Sequence, residues 1–266
     1  MTPPNDPRFA TTLARGLSVL RAFRVTDDGL SNAEIAQRTG LPKSTVSRLT
    51  FTLGQLGYLV QSPRDDRFRP GPTLVAMGHV ATASLSFLVP AQDLMQRLAE
   101  DTGALVVLAV RDGDKLVLIR TWRPTRVASI WLEVGQRIPL RPLSSARAFF
   151  AASTRAETDR FVAEHLPDSD AARDLLADRP RACAELLARG FISTPAAPGT
   201  AAPYNAVSVP FRNGNLAEPV VFTSGALPEQ VPMDRMTAEV GPRLVAAVRS
   251  LERLTGQGPA LVPTEA

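Results

Sequence analysis

Apolar residues recur at every third or fourth position through the first part of the chain, and that spacing predicts helices. Leu13, Leu17, Leu20 and Phe23 give an amphipathic helix from about Thr12 to Arg24, ended by Asp27-Asp28-Gly29. Ser31 stands three residues before Glu34, the capping-box pattern that opens a second helix over SNAEIAQRT. Gly40 supplies a left-handed cap, and Pro42 suits the first turn of a third helix, KSTVSRLTFTLGQLG. There Val46, Leu49, Leu53 and Leu56 share one face. Two helices joined by a few residues centred on Gly40 predict a helix-turn-helix. The period then changes to two. YLVQS and RFRPG, joined by Pro63-Arg64-Asp65-Asp66, predict a β-hairpin wing.

From Pro72 to about Phe87 the sequence is rich in small residues and suits a helix, which Pro90 is expected to break. A helix over Ala91 to Thr102 stops at Gly103, with Leu94, Met95 and Leu98 facing inward. ALVVLAV and KLVLIRTW flank Arg111-Asp112-Gly113-Asp114 as a hairpin, and VASIWLEV predicts a third strand. Helices follow over about 144–153, 155–165 and 168–189. AVSVPF and EPVVFTS flank Arg212-Asn213-Gly214-Asn215 as a second hairpin. A last helix from about Met233 to Thr255 carries Met236, Val240, Leu244, Val248 and Leu251 on one face. The expected fold class is α+β: a winged helix-turn-helix, a helical linker, then a mixed helix and sheet domain. The expected boundaries are a disordered arm at 1–8, the winged helix-turn-helix at 9–74, the linker helix at 75–89, the larger domain at 90–255 and a disordered tail at 256–266.

Composition narrows the chemistry. Hydrophobic residues at 44% and charged residues at 21% fit a globular protein, and no run is apolar enough to span a bilayer. The opening MTPPNDPRFA lacks the basic and apolar segments of a secretory signal. One cysteine, Cys183, and two histidines, His79 and His165, argue against a metal cluster and suit a reducing compartment, so the expected location is cytoplasmic and no metal or cofactor is expected. Neither a G-x-S-x-G elbow nor a phosphate-cradling glycine loop is present to suggest an enzyme. Charge is distributed unevenly. Residues 1–80 hold ten Lys/Arg against six acids, while the rest balances at twenty of each, so the whole +4 excess lies in the first third. That is the part expected to meet phosphate.

On the third helix, an inward Val46, Leu49 and Leu53 turns Ser44, Ser47, Arg48 and Gln55 outward, with Lys43 and Thr45 near the N-terminus. Arg48 has the chemistry to bond guanine O6 and N7 together, while Lys43, Ser44, Thr45 and Ser47 suit phosphate oxygens or base edges. Arg64, Arg67 and Arg69 place charge on the wing, partly offset by Asp65 and Asp66. Phe51 also falls outward, with no partner the sequence can name.

LARGLSVLRAF, then LSNAEIAQRTGLPKSTVSRLTFTLGQLGYL, then RFRPGPTLVAMG resemble the DNA-binding domain of IclR-type regulators, over about Phe9 to Val80. The family's G-L-x-x-S-T-V-x-R-L core stands as Gly40 to Leu49, and its exit motif as Arg69 to Gly78. LAEDTGALVVLAVRDGDKLVLI, LEVGQRIPLRPLSSARAFFA, ELLARGFIST and AVSVPF resemble blocks of the family's GAF-like effector domain. The resemblance implies a regulator, more often a repressor, that binds a palindromic operator in double-stranded DNA as a homodimer or a pair of dimers. It implies a small organic or aromatic acid as effector, with Leu143, Ser144 and Ser145 at its helix start and Trp131, Asn205 and Ser208 around it. Two stretches depart from the pattern. Arg141 replaces the usual His and Ala146-Arg147 the usual Gly-Lys, and PAAPGTAAPYN lacks the customary acidic run. A constitutive DNA-binding protein whose second domain only oligomerises is therefore an alternative, and an enzyme with an appended DNA-binding module a remoter one.

Overall fold

The computed structural model describes residues 7–166, 169–197, 203–214, 216–258 and 260, and the chain divides into two units at the Leu85–Ser86 junction. The first six residues of the expected arm, and most of the expected tail, lie outside the described residues.

In the first unit, α1 (Thr11–Arg21) ends three residues earlier than its spacing suggested. Its apolar stripe divides. Val19 is buried and Leu20 and Phe23 pack beside it, whereas Leu13 and Leu17 stay 63% and 50% exposed. Helix α2 (Asn32–Thr39) opens on the expected capping box: the Glu34 amide donates to Ser31 Oγ, and the Ser31 amide donates to the Glu34 carboxylate at 2.8 Å. Gly40, at φ 71°, closes it as a left-handed cap. Helix α3 (Lys43–Gln55) starts one residue after Pro42. Val46 is fully buried and Leu49 and Leu53 pack on the same core, but Leu56 is 60% exposed. Thr50 is buried instead, its hydroxyl donating to Asn32 Oδ1 at 2.9 Å. Strands β1 (Leu59–Gln61) and β2 (Phe68–Pro70) pair antiparallel, and Leu30 adds an isolated bridge to Phe68. Helix α4 (Pro72–Ala83) buries none of its residues within the unit.

The second unit opens with α5 (Leu88–Thr102). Pro90 sits inside this helix rather than breaking it, because in the first turn its missing N–H has no intrahelical partner to lose. A six-stranded antiparallel sheet follows, built from β3 (Leu105–Asp112), β4 (Lys115–Trp122), β5 (Arg137–Pro139), β6 (Ile192–Thr194), β7 (Asn205–Phe211) and β8 (Val220–Ala226). Its order is β5-β4-β3-β8-β7-β6. The hairpins expected at Asp112-Gly113 and Asn213-Gly214 join β3 to β4 and β7 to β8.

VASIWLEV forms no strand. Arg123 donates one guanidinium nitrogen to the Ile130 carbonyl at 2.7 Å and the other to the Leu132 carbonyl, taking acceptors that a ladder would use. The edge place beside β4 goes to β5. On one face of the sheet lie α6 (Ser144–Ala151), α7 (Arg155–His165) and α8 (Asp170–Arg189), whose Phe149, Phe150, Phe161, Leu175 and Leu186 pack with Leu105, Val107, Leu116 and Leu118. The other face carries Phe222 against Trp122 and Phe211, with ring centroids 6.1 and 6.0 Å apart. The last helical stretch buries all five expected residues but is not uniform: α9 (Met233–Arg235) leads through a π-helical turn, Met236–Val240, into α10 (Gly241–Leu254). The described part of the tail is tied down, since the Gln257 and Ala260 amides donate to the Glu252 carbonyl and carboxylate. Among the described residues no single helix is long and apolar enough to cross a membrane.

Candidate nucleic-acid interface and ligand cavity

Helix α3 presents one polar face. Lys43, Ser44, Ser47, Arg48, Phe51 and Gln55 are exposed, and Thr45 is half-buried. Pro42 at the N-cap offers no side-chain acceptor, so the first-turn amides remain free for an anion such as a phosphate oxygen. Arg48 and Lys43 enter no ion pair or side-chain hydrogen bond among the described residues. Phe51 is 68% exposed.

The three wing arginines have different surroundings. Arg64, at the hairpin tip, is exposed and unpaired among the described residues. Arg67 turns back onto the domain: Nη1 donates to the Gly29 carbonyl at 2.9 Å and Nη2 to Glu34 Oε1 at 2.9 Å. One carboxylate thus caps α2 and anchors the wing. The Ser31 amide and hydroxyl, with Arg67 beside them, hold the Glu34 carboxyl below its ordinary range. Arg69 bonds Asp28 at 2.9 Å and Asp65 at 3.0 Å, and its guanidinium, followed by the Ser62 hydroxyl, holds the Asp65 carboxyl well below the usual carboxylate range.

In the second unit a mostly apolar cavity lies against the sheet. Alternation on the strands selects its wall: Leu105, Val107 and Ala109 from β3, Leu118 from β4, and Thr223 and Gly225 from β8. Ile138, Ala206 and Tyr204 extend that wall, Ile130 and Leu132 fold over from the irregular segment, and Thr194 joins from β6. Burial alone pushes the Tyr204 phenol up. Leu143, Ser144 and Ser145 close the cavity with the N-terminus of α6. Behind them Ser208, fully buried, donates to Ser144 Oγ at 2.9 Å and lies 2.8 Å from Thr223 Oγ1. Arg147 points elsewhere. It bonds Asp178 at 2.6 Å and Glu185 at 2.9 Å. Burial pushes the Glu185 carboxyl up, but the Ser193 amide and hydroxyl with Arg147 outweigh it and hold the carboxyl below its ordinary value. Among the described residues no three His, Cys, Asp or Glu side chains gather as a metal site requires.

The model of the IclR helix-turn-helix domain matches residues 12–63, and that of the bacterial transcriptional regulator IclR C-terminal domain matches 79–177, together more than half of the chain. The fold superposes on an IclR family transcriptional regulator from Brucella abortus with a TM-score of 0.76 and 29% identity, over 96% of each chain. The chain belongs to the IclR family of transcriptional regulators. Its helix-turn-helix is the family's DNA-binding domain and its second unit carries the family's effector domain. Among curated IclR relatives, the chain is 33% identical to the Pca regulon regulatory protein of Pseudomonas putida, in a match spanning 55% of this chain and only 50% of that protein. It is 28% identical to the regulator TsaQ1/TsaQ2 of Comamonas testosteroni, over 91% of this chain and 87% of that one. The fold is also that of an IclR homologue from Microbacterium hydrocarbonoxydans solved with 4-hydroxybenzoate, at 20% identity and a TM-score of 0.67, covering 90% of this chain and 99% of that one.

The residues that the IclR resemblance implied are only partly gathered. Leu143, Ser144 and Ser145 line the cavity. Ser208 stands one hydroxyl behind the wall. Asn205 is buried but is spent on structure: its amide donates to the Val231 carbonyl at 3.0 Å and its oxygen accepts from the Ala196 amide at 2.9 Å. Trp131 is 74% exposed, with Arg123 over its ring at 4.4 Å, and lies outside the wall that its neighbours Ile130 and Leu132 form. Thr194, Tyr204 and Thr223 were missed. Strand parity offered the signal for Thr223 and Gly225, but no sequence rule said which parity faces the ligand.

Proposed function

We propose that this chain binds a palindromic operator as a homodimer through α3, and that a small organic or aromatic acid in the sheet cavity changes its operator affinity, most simply by releasing a repressor. The supporting observation is the pairing of two open sites. One is an exposed Arg48, unpaired among the described residues, on a helix of readout geometry, and the other a mostly apolar cavity against the sheet of a separate unit. Dimerisation is supported by surface the monomer leaves bare. Leu13 and Leu17 of α1 are exposed, as are Val75, Met77 and Val80 of α4, an apolar helix that buries nothing of its own. In this reading residues 9–74 read DNA, 75–89 link, and 90–255 sense the ligand. The Microbacterium relative with 4-hydroxybenzoate bound supports the choice of acid.

The test is operator binding by fluorescence anisotropy, with and without organic and aromatic acids, after selecting the operator from random duplexes. A ligand that both raises the melting temperature and shifts operator affinity supports the reading, since a ligand can shift an equilibrium only by its differential affinity for the two states. Tight operator binding that no acid changes would leave the second unit with oligomerisation alone.

The wing supplies a sharper expectation. Arg64→Ala should leave the melting curve unchanged and reduce the slope of log affinity against log salt by about 1, as for one lost phosphate contact. Arg67→Ala should instead destabilise the N-terminal unit, since its partners are Glu34 and the Gly29 carbonyl. Salt titrations and thermal melts of both variants check this. Equal salt slopes with equal melts would remove the distinction.

A further inference from the structure

Resting on the reading that α3 enters the major groove of the operator, we infer that Phe51 is a base-reading residue. Its phenyl ring packs on the C5-methyl group of a thymine, one or two base pairs from the base that Arg48 reads.

The first support is position. At 3.6 residues per turn, Ser44, Ser47, Arg48, Phe51 and Gln55 share an arc of about 100° on α3, with Phe51 near its middle. Val46 and Thr50 are buried and Leu49 and Leu53 pack on the core, which fixes the opposite side of the helix as the inner one. A large apolar side chain, 68% exposed, thus stands at the centre of a polar face. Cα–Cβ bonds in a helix tilt toward its N-terminus, so the ring leans over the turn of Ser47 and Arg48, the part of α3 that reads bases. Ser47, four residues before Phe51, is too short to screen it.

The second support is chemistry. Lys43, Ser44, Ser47, Arg48 and Gln55 can each bond a phosphate or a base edge, and a phenyl ring can bond neither. In the major groove thymine alone offers an apolar group, its C5-methyl, while the other bases present donors and acceptors. A ring laid over those would strip water from them and return no hydrogen bond. Its place on the readout face therefore selects thymine. Reach agrees. Phe51 follows Arg48 by three residues, about 4.5 Å along the axis, and successive bases on one strand are about 3.4 Å apart. One helix face so carries a fork for guanine and a ring for a methyl group on neighbouring steps.

The experiment uses the full-length chain and the operator selected from random duplexes. Each thymine of a half-site is replaced in turn by deoxyuridine, which removes the methyl group and keeps every hydrogen-bonding atom. Anisotropy titrations then compare the unaltered chain with Phe51→Ala. The unaltered chain is expected to lose about 4-fold in affinity per half-site at one thymine position, the equivalent of about 0.8 kcal/mol for a buried methyl group, and about 15-fold with both half-sites changed. Phe51→Ala should lose at least as much on the thymine operator and be indifferent to deoxyuridine at that position. Its salt slope should not change, since an apolar contact releases no counterion. Nor should its melting curve, because the ring is exposed. Phe51→Leu keeps an apolar group and should keep part of the preference for thymine. The inference is overturned by a scan flat at every thymine, or by a selected operator with no thymine within two base pairs of the position Arg48 reads. It is overturned equally if Phe51→Ala weakens every duplex by one factor, which would put the ring on the sugars. A lower melting temperature or a smaller assembly in sedimentation would put the ring against protein instead and overturn it too. The reading of α3 fails separately: if Lys43→Ala, Arg48→Ala and Phe51→Ala all bind the operator as the unaltered chain does, the groove contact lies elsewhere.

Discussion

Gly71→Ala is expected to destabilise the N-terminal unit by about 3 kcal/mol or more and to abolish operator binding with it. Gly71 lies between β2 and α4 with an ordinary φ of −87°, so its conformation does not demand glycine. Space does. A methyl group there would stand 2.2 Å from the Gly57 carbonyl oxygen and 2.9 Å from the Tyr58 carbonyl carbon. Both are backbone atoms, so no rotamer change relieves the clash. The two segments are also bonded where they cross, the Gly71 amide donating to the Tyr58 carbonyl at 2.8 Å. Pushing them apart breaks that bond and moves β1, and with it the wing. Gly78→Ala is the control. It lies within α4, with nothing within 4 Å of the added carbon, and should be neutral or stabilise by about 0.5–1 kcal/mol. Circular dichroism melts of both variants decide the matter, since each kcal/mol moves the midpoint of a unit this size by about 4–8 °C. A native-like melt for Gly71→Ala would mean that the crossing is loose.

Local signals were the most legible part of the sequence. The Ser31–Glu34 box, the left-handed Gly40 and the Asp112-Gly113 turn each act within four residues and stand where they were expected, whereas the strands around Asn213-Gly214 pair only from Phe211 and Val220. Signals that depend on distant partners were not legible. Arg64 and Arg67 are three residues apart with the same side chain, yet only Arg67 meets a glutamate 33 positions earlier in the chain. Leu13 and Leu17 read as core because periodicity reports an apolar face, not what covers it. Trp131 was placed in the cavity through resemblance, but Arg123 takes the carbonyls on either side, which turns Ile130 and Leu132 inward and leaves the indole outside. The cavity combines residues as far apart as Leu105 and Gly225, so its outline emerged only once β3 and β8 were paired. Its altered loop residues, Arg141 and Arg147, departed from the family pattern in a way the sequence could not interpret. The structure assigns Arg147 to an internal ion pair and leaves Arg141 on the surface.

Arg48→Ala is expected to weaken operator binding by about 1–3 kcal/mol, roughly 5- to 150-fold, and to relax the preference at one base position in each half-site. Side chains tied into internal ion pairs cannot reach DNA without first breaking those pairs, which discounts Arg67 and Arg69. Arg48 carries no such cost. It is exposed on α3 one turn from Ser44, beside Ser47, with Val46 and Thr50 buried on the opposite side to fix its direction. A planar fork of donors in that place can bond two acceptors of one guanine, whereas Lys43, at the first helical residue, is a point charge suited to phosphate. The two roles separate on measurement. With the selected operator and single-base variants of it, a base-reading Arg48 makes the alanine variant indifferent to substitution at one position while the salt slope changes little. A phosphate-contacting Arg48 would weaken every duplex by the same factor and lower the salt slope by about 1. Lys43→Ala should show that second pattern. If Arg48→Ala showed it too, sequence preference would have to come from Phe51, the serines and the shape of the DNA.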